Sequence, residues 1–105
     1  MIRHCVFLNL AKGGAVGPLA QVMEGLQALV DELDGCDGFH HGPNRDYEGK
    51  SQDYAYGFVF DATDQRALQR YAEDPTHRAL GARLAALCVG GAEGIVVFDI
   101  DTGLA

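Results

Sequence analysis

The chain is poor in basic residues, since its 105 positions hold 8 Lys and Arg against 15 Asp and Glu, for a net charge of −7. A surface that binds nucleic acid or an anionic membrane needs clustered cations, so the composition argues against both partners. The sequence also has no apolar run of the length that spans a membrane. Arg3 and His4 interrupt the N-terminal apolar segment, which therefore does not resemble a signal peptide. We expect a cytoplasmic protein.

Motifs that bind metals or phosphates are also missing. Cys5, Cys36 and Cys88 are scattered without zinc or redox spacing, and an odd count in a reducing compartment indicates free thiols. Gly13-Gly14 lacks the strand–turn–helix context of a phosphate loop. His40 and His41 are adjacent, and adjacent residues of a strand point to opposite faces, so both cannot bind one ion within a monomer. We predict no metal site and no cofactor.

The apolar pattern that is present predicts a single α+β domain. With 48% hydrophobic and 22% charged residues, the composition is that of a globular protein of one-domain length. Predicted strands cover 2–10, 39–45, 53–62 and 93–101, and helices begin at Pro18, at Thr63-Asp64 and at Pro75. The order β-α-β-β-α-β, with its second helix broken, predicts a ferredoxin-like fold: a four-stranded antiparallel sheet with its helices on one face. We expect the domain to cover 1–101 and a tail to cover 102–105.

The break in the second helix places a histidine at a helix start. Asp74 is a good N-cap, Pro75 suits the first helical position, and the residue before a proline avoids the α region. His77 then lies in the first turn, on the same face as Leu80 and Leu84. The positive end of the helix dipole disfavours the protonated ring, so we expect a neutral imidazole that faces the core.

The first, third and fourth strands carry apolar residues on both faces. An antiparallel sheet with one solvated face alternates more cleanly, so a second layer must cover the face without helices. Two such sheets that meet face to face satisfy this requirement, and the pattern therefore predicts a homodimer. If Val59 and Val97 face the partner sheet, a charge at either position is expected to harm the dimer.

Four segments carry a resemblance to a known family. They are the motif YxxDPxH from Tyr71 to His77, MIRHCVFLNL at the start, GPNRDYEGKSQDYAYGFVF in the middle and IVVFDI at the end. Their order and spacing resemble those of the stress-responsive α/β-barrel domains, called Dabb, over nearly the whole chain to about Asp101. The resemblance implies a homodimer that forms a dimeric α+β barrel. It names a fold more firmly than a reaction.

The resemblance also singles out His77, Tyr71 and His4. A plant polyketide cyclase of this superfamily has a Tyr and a His at the positions of Tyr71 and His77, where they serve as the acid–base pair of an intramolecular aldol closure. It also has a His at the position of His4. A neutral His can take a proton from carbon beside carbonyl groups, and a Tyr hydroxyl can stabilise the oxyanion that results. The alternative is that His77 donates to a backbone carbonyl in the core and Tyr71 only packs.

Aromatic residues of the third strand are candidates for ligand binding. Tyr54, Tyr56 and Phe58 lie on one predicted face, and with Leu80 they would suit a flat, apolar or aromatic ligand. The cyclase has a third His where this chain has Tyr56, which weakens a literal transfer of its activity. The alternative is that these aromatic side chains fill the core.

Three functions remain open at this point. The first is a cofactor-free cyclase or lyase that uses His77 and Tyr71. The second is a cofactor-free monooxygenase, although the small barrel oxygenases that degrade haem typically use a Trp and this chain has none. The third is a stress-related binding or structural dimer without turnover. An open cavity at His77 would favour the first over the third.

Overall fold

The computed structural model describes residues 1–13 and 16–103. The predicted loop residue Gly14 and the last two residues of the predicted tail, Leu104 and Ala105, lie outside this description. The elements in chain order are β1 (Ile2–Leu8), α1 (Val16–Glu32), β2 (Cys36–Pro43), β3 (Tyr56–Ala62), α2 (Gln65–Glu73), α3 (Pro75–Ala85), a 3-10 turn (Gly91–Gly94) and β4 (Ile95–Asp101).

The four strands form one antiparallel sheet in the order β2-β3-β1-β4, with the helices on one face. The predicted ferredoxin-like α+β fold is therefore confirmed. The core lies between this face and the helices. Alternate residues of β1 and β3 point into it, among them Val6, Leu8, Phe58 and Phe60, all at most 3% exposed. Val22, Met23, Leu26, Leu29 and Val30 of α1 cover them.

The predicted helix break is confirmed. Asp74 has extended backbone angles, and its side chain accepts a hydrogen bond from the backbone N–H of Thr76 at 2.8 Å. Its own N–H donates to the carbonyl of Tyr71 at 3.2 Å. Asp74 thus ends α2 and caps α3, while Asp64 caps α2 by accepting from the N–H of Ala67. These caps determine where α2 and α3 begin and end, and thereby the positions of Tyr71 and His77.

Strand β2 begins three residues earlier than predicted because it contains a β-bulge. The register with β3 shifts between Asp37 and His40, and Gly38 has a φ of +69°, which a glycine adopts without strain. The bulge adds one residue to β2. Cys36 and Phe39 therefore both face the core although they are an odd number of residues apart.

Strand β3 begins at Tyr56 rather than at the predicted Asp53, because a folded loop precedes it. The side-chain amide of Asn44 donates to Ser51 Oγ at 2.9 Å and to the carbonyl of Tyr54 at 2.8 Å. Asp46 accepts from the N–H and the hydroxyl of Ser51. These bonds hold the loop closed, so the prediction that Tyr54 lies on the strand with Tyr56 was wrong.

The sheet face without helices is largely apolar in the β1–β4 half. Phe98 and Ile100 are 54% and 52% exposed on this outer face, and Phe7 packs beside Phe98 with ring centroids 6.0 Å apart. Val59 also lies here. Val97 does not, because it pairs with the inward-facing Val6 and so belongs to the helix side. The suggestion that Val97 faces a partner sheet is therefore corrected.

Candidate functional site

A cavity of about 500 Å³ lies on the helix side of the sheet, between β1, β4 and the junction of α2 with α3. His4, Tyr71 and His77 all line it. The ring centroids of Tyr71 and His77 are 4.2 Å apart, and those of His4 and Tyr71 are 5.6 Å apart. The structure thus brings together the three residues that the sequence singled out for acid–base chemistry.

Local structure explains this convergence. His4 alternates inward on β1 with Val6, so its ring lies below the helices. Tyr71 is in the last turn of α2, and His77 is in the first turn of α3 beyond the cap at Asp74. Because Asp74 changes the chain direction between them, the two side chains approach one another although they belong to different helices.

His77 is held as a specific tautomer. Its Nδ1 lies 3.1 Å from the carbonyl oxygen of Ala72, which can only accept, so Nδ1 carries the hydrogen. In the neutral ring this leaves the lone pair on Nε2. Burial lowers the pKa of His77, and this outweighs the hydrogen bond to Ala72, which acts in the opposite direction. His77 is therefore suited to accept a proton at neutral pH.

Tyr71 is suited to donate a hydrogen bond. Its side chain is 1% exposed, and this burial raises the pKa of its phenol. The ring packs against Phe60 with centroids 4.6 Å apart. Within the part of the chain that the structure describes, the Tyr71 hydroxyl forms no hydrogen bond. A neutral phenol at the cavity wall thus retains its donor.

His4 has a carboxylate partner that sequence analysis missed. Asp99 is the cross-strand neighbour of His4, and its Oδ1 lies 2.6 Å from His4 Nδ1. The carboxylate accepts the Nδ1 hydrogen, which orients the ring and leaves Nε2 as the free nitrogen. Asp99 stands in the segment IVVFDI, and pairing the predicted β1 and β4 in antiparallel register would have placed it opposite His4.

The remaining wall is mainly apolar. Gln65 and Gln69 of α2 add polar side chains, and Gly81 contributes bare helix backbone. The apolar lining residues are Val6, Leu26, Phe58, Leu68, Ala72, Leu84, Ile95 and Val97. Such a cavity, with a few convergent polar groups, is typical of a small-molecule site.

Of the four predicted ligand-binding residues, Phe58 lines this cavity and the other three do not. Tyr56 instead bonds through its hydroxyl to His41 Nδ1 at 2.6 Å, at the far end of β3. Leu80 packs against α1 at Gly25, where an added Cβ would lie only 2.8 Å from Leu80 Cδ2. The expectation that Leu80 would share the surface of His77 fails because Leu80 serves the contact between the two helices.

Tyr54 lines a different hollow, of about 770 Å³, on the outer face of the sheet. Phe7, Val59, Val96 and Phe98 contribute the apolar part of this hollow, and the loop before β3 forms its rim. This hollow includes Phe7 and Phe98 of the exposed apolar outer face. The helix-side cavity, not this hollow, contains the three candidate acid–base groups.

Comparison with family models identifies the chain. The model of the stress responsive A/B barrel domain, Dabb, matches residues 2–102. The chain belongs to this family. A search of curated proteins found no match for this Dabb protein. In residues 1–13 and 16–103, no group of three or more His, Cys, Asp or Glu is placed to hold a metal ion, and no helix is long and apolar enough to cross a bilayer.

Solved structures share the fold of this Dabb protein. A dimeric ferredoxin-like protein of unknown function from Jannaschia sp. CCS1 is 44% identical, with a TM-score of 0.91, over 96% of this chain and 98% of that chain. A hydroxynitrile lyase from Passiflora edulis is 13% identical, with a TM-score of 0.78, over 99% and 96% of the two chains. SnoaB from Streptomyces nogalater, a cofactor-independent oxygenase, is 16% identical, with a TM-score of 0.75, over 99% and 94%.

Proposed function

We propose that this Dabb protein binds a small apolar or aromatic carbonyl compound in the helix-side cavity and catalyses proton transfer without a cofactor, as in an aldol-type cyclase or a lyase. The observation that carries the proposal is the state of His77. The carbonyl of Ala72 holds its Nδ1 hydrogen, and burial favours the neutral ring, so Nε2 keeps an unprotonated lone pair on a ring whose centroid lies 4.2 Å from that of Tyr71.

The chemistry follows from these two groups. His77 Nε2 takes a proton from the carbon beside the carbonyl, and the electron pair of that C–H bond moves into an enolate. The Tyr71 O–H donates a hydrogen bond to the enolate oxygen, where the negative charge develops. The enolate carbon then attacks a second carbonyl carbon, whose oxygen becomes an alkoxide and takes the proton held on His77; alternatively, the enolate carbon takes that proton back. His4, oriented by Asp99, offers a further polar group at the same wall.

Enzymes with this fold exist, which is compatible with a catalytic role and specifies neither a reaction nor a substrate. Both the Passiflora lyase and the cofactor-independent oxygenase from Streptomyces nogalater are built on this fold. At their low identity they speak for the architecture alone, so the assignment depends on the residues of this chain.

Exchange of α-hydrogens for deuterium tests the proposal. Phenylacetone in heavy water is followed by proton NMR with wild-type protein, His77→Ala, Tyr71→Phe and the control His40→Ala, which removes an exposed ring from the outer face. We expect accelerated exchange in the wild type and in the control. His77→Ala should lose roughly a hundredfold, the lower end of what acid–base catalysis supplies. Equal rates in wild type and His77→Ala would refute the proposal.

A binding protein without turnover is the second candidate. The observation that favours it is the packing of Tyr71, which is 1% exposed and contacts the rings of Phe60, His4 and His77 as a core side chain would. The same experiment separates the two functions. Saturable binding of phenylacetone, seen as chemical-shift changes at cavity residues, with no exchange above the buffer rate would select the second.

We also propose that residues 1–101 act as a homodimer that forms a dimeric α+β barrel in the cytoplasm. The apolar outer face around Phe98 and Ile100 supports the dimer, as does the dimeric relative from Jannaschia at 44% identity. Three buried free cysteines fit a reducing compartment.

A further inference from the structure

Gly81 is an unusual residue for its position. It lies in the interior of α3, one turn after His77 on the same side of the helix, and it lines the cavity. A glycine in a helix interior costs about 1 kcal/mol relative to alanine. A Cβ built at Gly81 meets no atom within 4 Å among the described residues, so neighbouring side chains do not require a glycine there.

Gly25 shows what a packing glycine looks like in the same fold. A Cβ at Gly25 would lie 2.8 Å from Leu80 Cδ2, so the approach of α3 to α1 depends on its absence. Gly81 has no such neighbour. The absence of a side chain at Gly81 leaves space that is part of the cavity lined by His77.

The wall around this space is apolar and carries one negative group. Leu84, Ile95 and Val97 line the same cavity as Gly81. The carboxylate of Asp99 also lines it, bound to His4 and still 43% exposed. An anionic ligand would lose hydration against the apolar wall and would meet a like charge at Asp99, both of which are unfavourable, whereas an uncharged carbonyl compound would not meet this repulsion.

We propose that Gly81 is a specificity-determining residue of this site and that the site takes uncharged carbonyl compounds with an extended apolar body. This inference rests on the proposed function, because it assumes that the reacting carbonyl lies at His77 and Tyr71. The apolar body then lies against the bare backbone of Gly81. Asp99 selects against carboxylates and phosphate esters.

The test is a binding series with alkyl phenyl ketones, followed by NMR shifts of backbone amides. Acetophenone, butyrophenone and hexanophenone increase in length without charge, and 4-acetylbenzoate adds a carboxylate to acetophenone. The variants are Gly81→Leu and the matched control Ala82→Leu, which adds the same side chain to the exposed side of the same helix. Circular dichroism verifies that both variants remain folded, and Gly81→Ala replaces Gly81→Leu if the latter unfolds.

We expect the affinity of the wild type to rise along the ketone series. Gly81→Leu should weaken the binding of hexanophenone at least about tenfold, corresponding to about 1.4 kcal/mol, and the binding of acetophenone far less. Ala82→Leu should bind like the wild type. The affinity for 4-acetylbenzoate should be below that for acetophenone and should rise in Asp99→Asn. If only Gly81→Ala is folded, its loss of affinity should likewise increase with ketone length but should be smaller.

Several results would overturn the inference: wild-type protein that binds none of the ketones, a Gly81 variant whose affinities match the wild type at every length, or 4-acetylbenzoate bound as tightly as acetophenone. Binding and deuterium exchange separate this inference from the proposed function. Length-dependent binding at Gly81 without exchange would refute proton transfer alone. Exchange that depends on His77 but is indifferent to Gly81→Leu across the series would refute the specificity role alone.

Discussion

The two histidines of the cavity differ in the partner that holds their Nδ1. His77 donates to a backbone carbonyl, which carries no full charge, so burial dominates and its pKa falls. His4 donates to the carboxylate of Asp99. The pair therefore resembles a base and an oriented polar group rather than two equivalent residues. Tyr71 lies between them in contact with both rings.

The lowered pKa of His77 predicts the pH dependence of exchange and of stability. The acidic limb of the exchange rate should have its midpoint below 6.5, the ordinary value, because the base stays neutral to lower pH. As pH falls below 6.5 the unfolded chain binds the proton first, so this group lowers stability there and has no effect above. NMR titration of the ring measures the pKa. A midpoint at or above 6.5 would contradict the environment described for His77.

Tyr71→Phe separates a catalytic hydroxyl from a structural one. The hydroxyl bonds to no group in the described ranges, and the ring contacts with Phe60 and His77 persist in Phe. The free energy of unfolding should therefore not fall, because burial of an unpaired hydroxyl is unfavourable, while the exchange rate falls. A loss of more than about 1 kcal/mol would instead indicate that the hydroxyl stabilises the fold.

At the scale of elements, the helix break was the most predictable feature. Asp74-Pro75 acts through local backbone restrictions that need no tertiary information, so its position was predicted to the residue. The faces of β1 followed from simple alternation. The family resemblance singled out His4, Tyr71 and His77 together, and these two features agree with their meeting in one cavity.

The elements that the sequence did not predict depend on non-local or irregular structure. The bulge at Gly38 inserts a residue that breaks the alternation of β2, and side-chain bonds from Asn44 fold the chain where a strand was expected. The roles of Leu80 and Asp99 likewise depend on what lies across from them, on α1 and on β1 respectively. Single-segment patterns do not contain that information.

The cap at Asp74 has a measurable energetic consequence. Asp74→Ala removes the hydrogen bond to the N–H of Thr76 and should lower the free energy of unfolding by about 1 kcal/mol. It should also weaken ketone binding, because the start of α3 positions His77. Glu73→Ala, at the exposed end of α2, is the control and should have a smaller effect. Urea unfolding measures the stability of both variants. An unchanged midpoint in Asp74→Ala would show that Asp74 does not act as the N-cap.

At the scale of the whole molecule, the sheet has one covered face and one exposed apolar face. The cavity opens on the covered side, so dimer formation through the other face would leave the candidate site accessible. The proposed dimer contact and the candidate site would thus use alternate residues of the same strands.

Neighbouring residues of β4 allow a matched test of the dimer. Phe98→Glu places a charge on the outer face and should produce monomers or insoluble protein in sedimentation experiments, where the wild type has twice the chain mass. Val97→Glu adds the same charge one residue away, on the cavity side, and should remain dimeric. A wild-type protein that sediments as a monomer at micromolar concentration would refute the homodimer.

The bulge in β2 also affects how this strand tolerates changes in length. Two residues of β2 stand opposite one residue of β3 near Gly38, so a homologue that lacks this glycine would keep Phe39 inward and His40 outward. A deletion just beyond the bulge, at His40, would exchange the two faces from there to the end of the strand. A one-residue gap in an alignment of this strand therefore belongs at Gly38, where the chain can be shortened without exchanging the inward and outward faces of the strand.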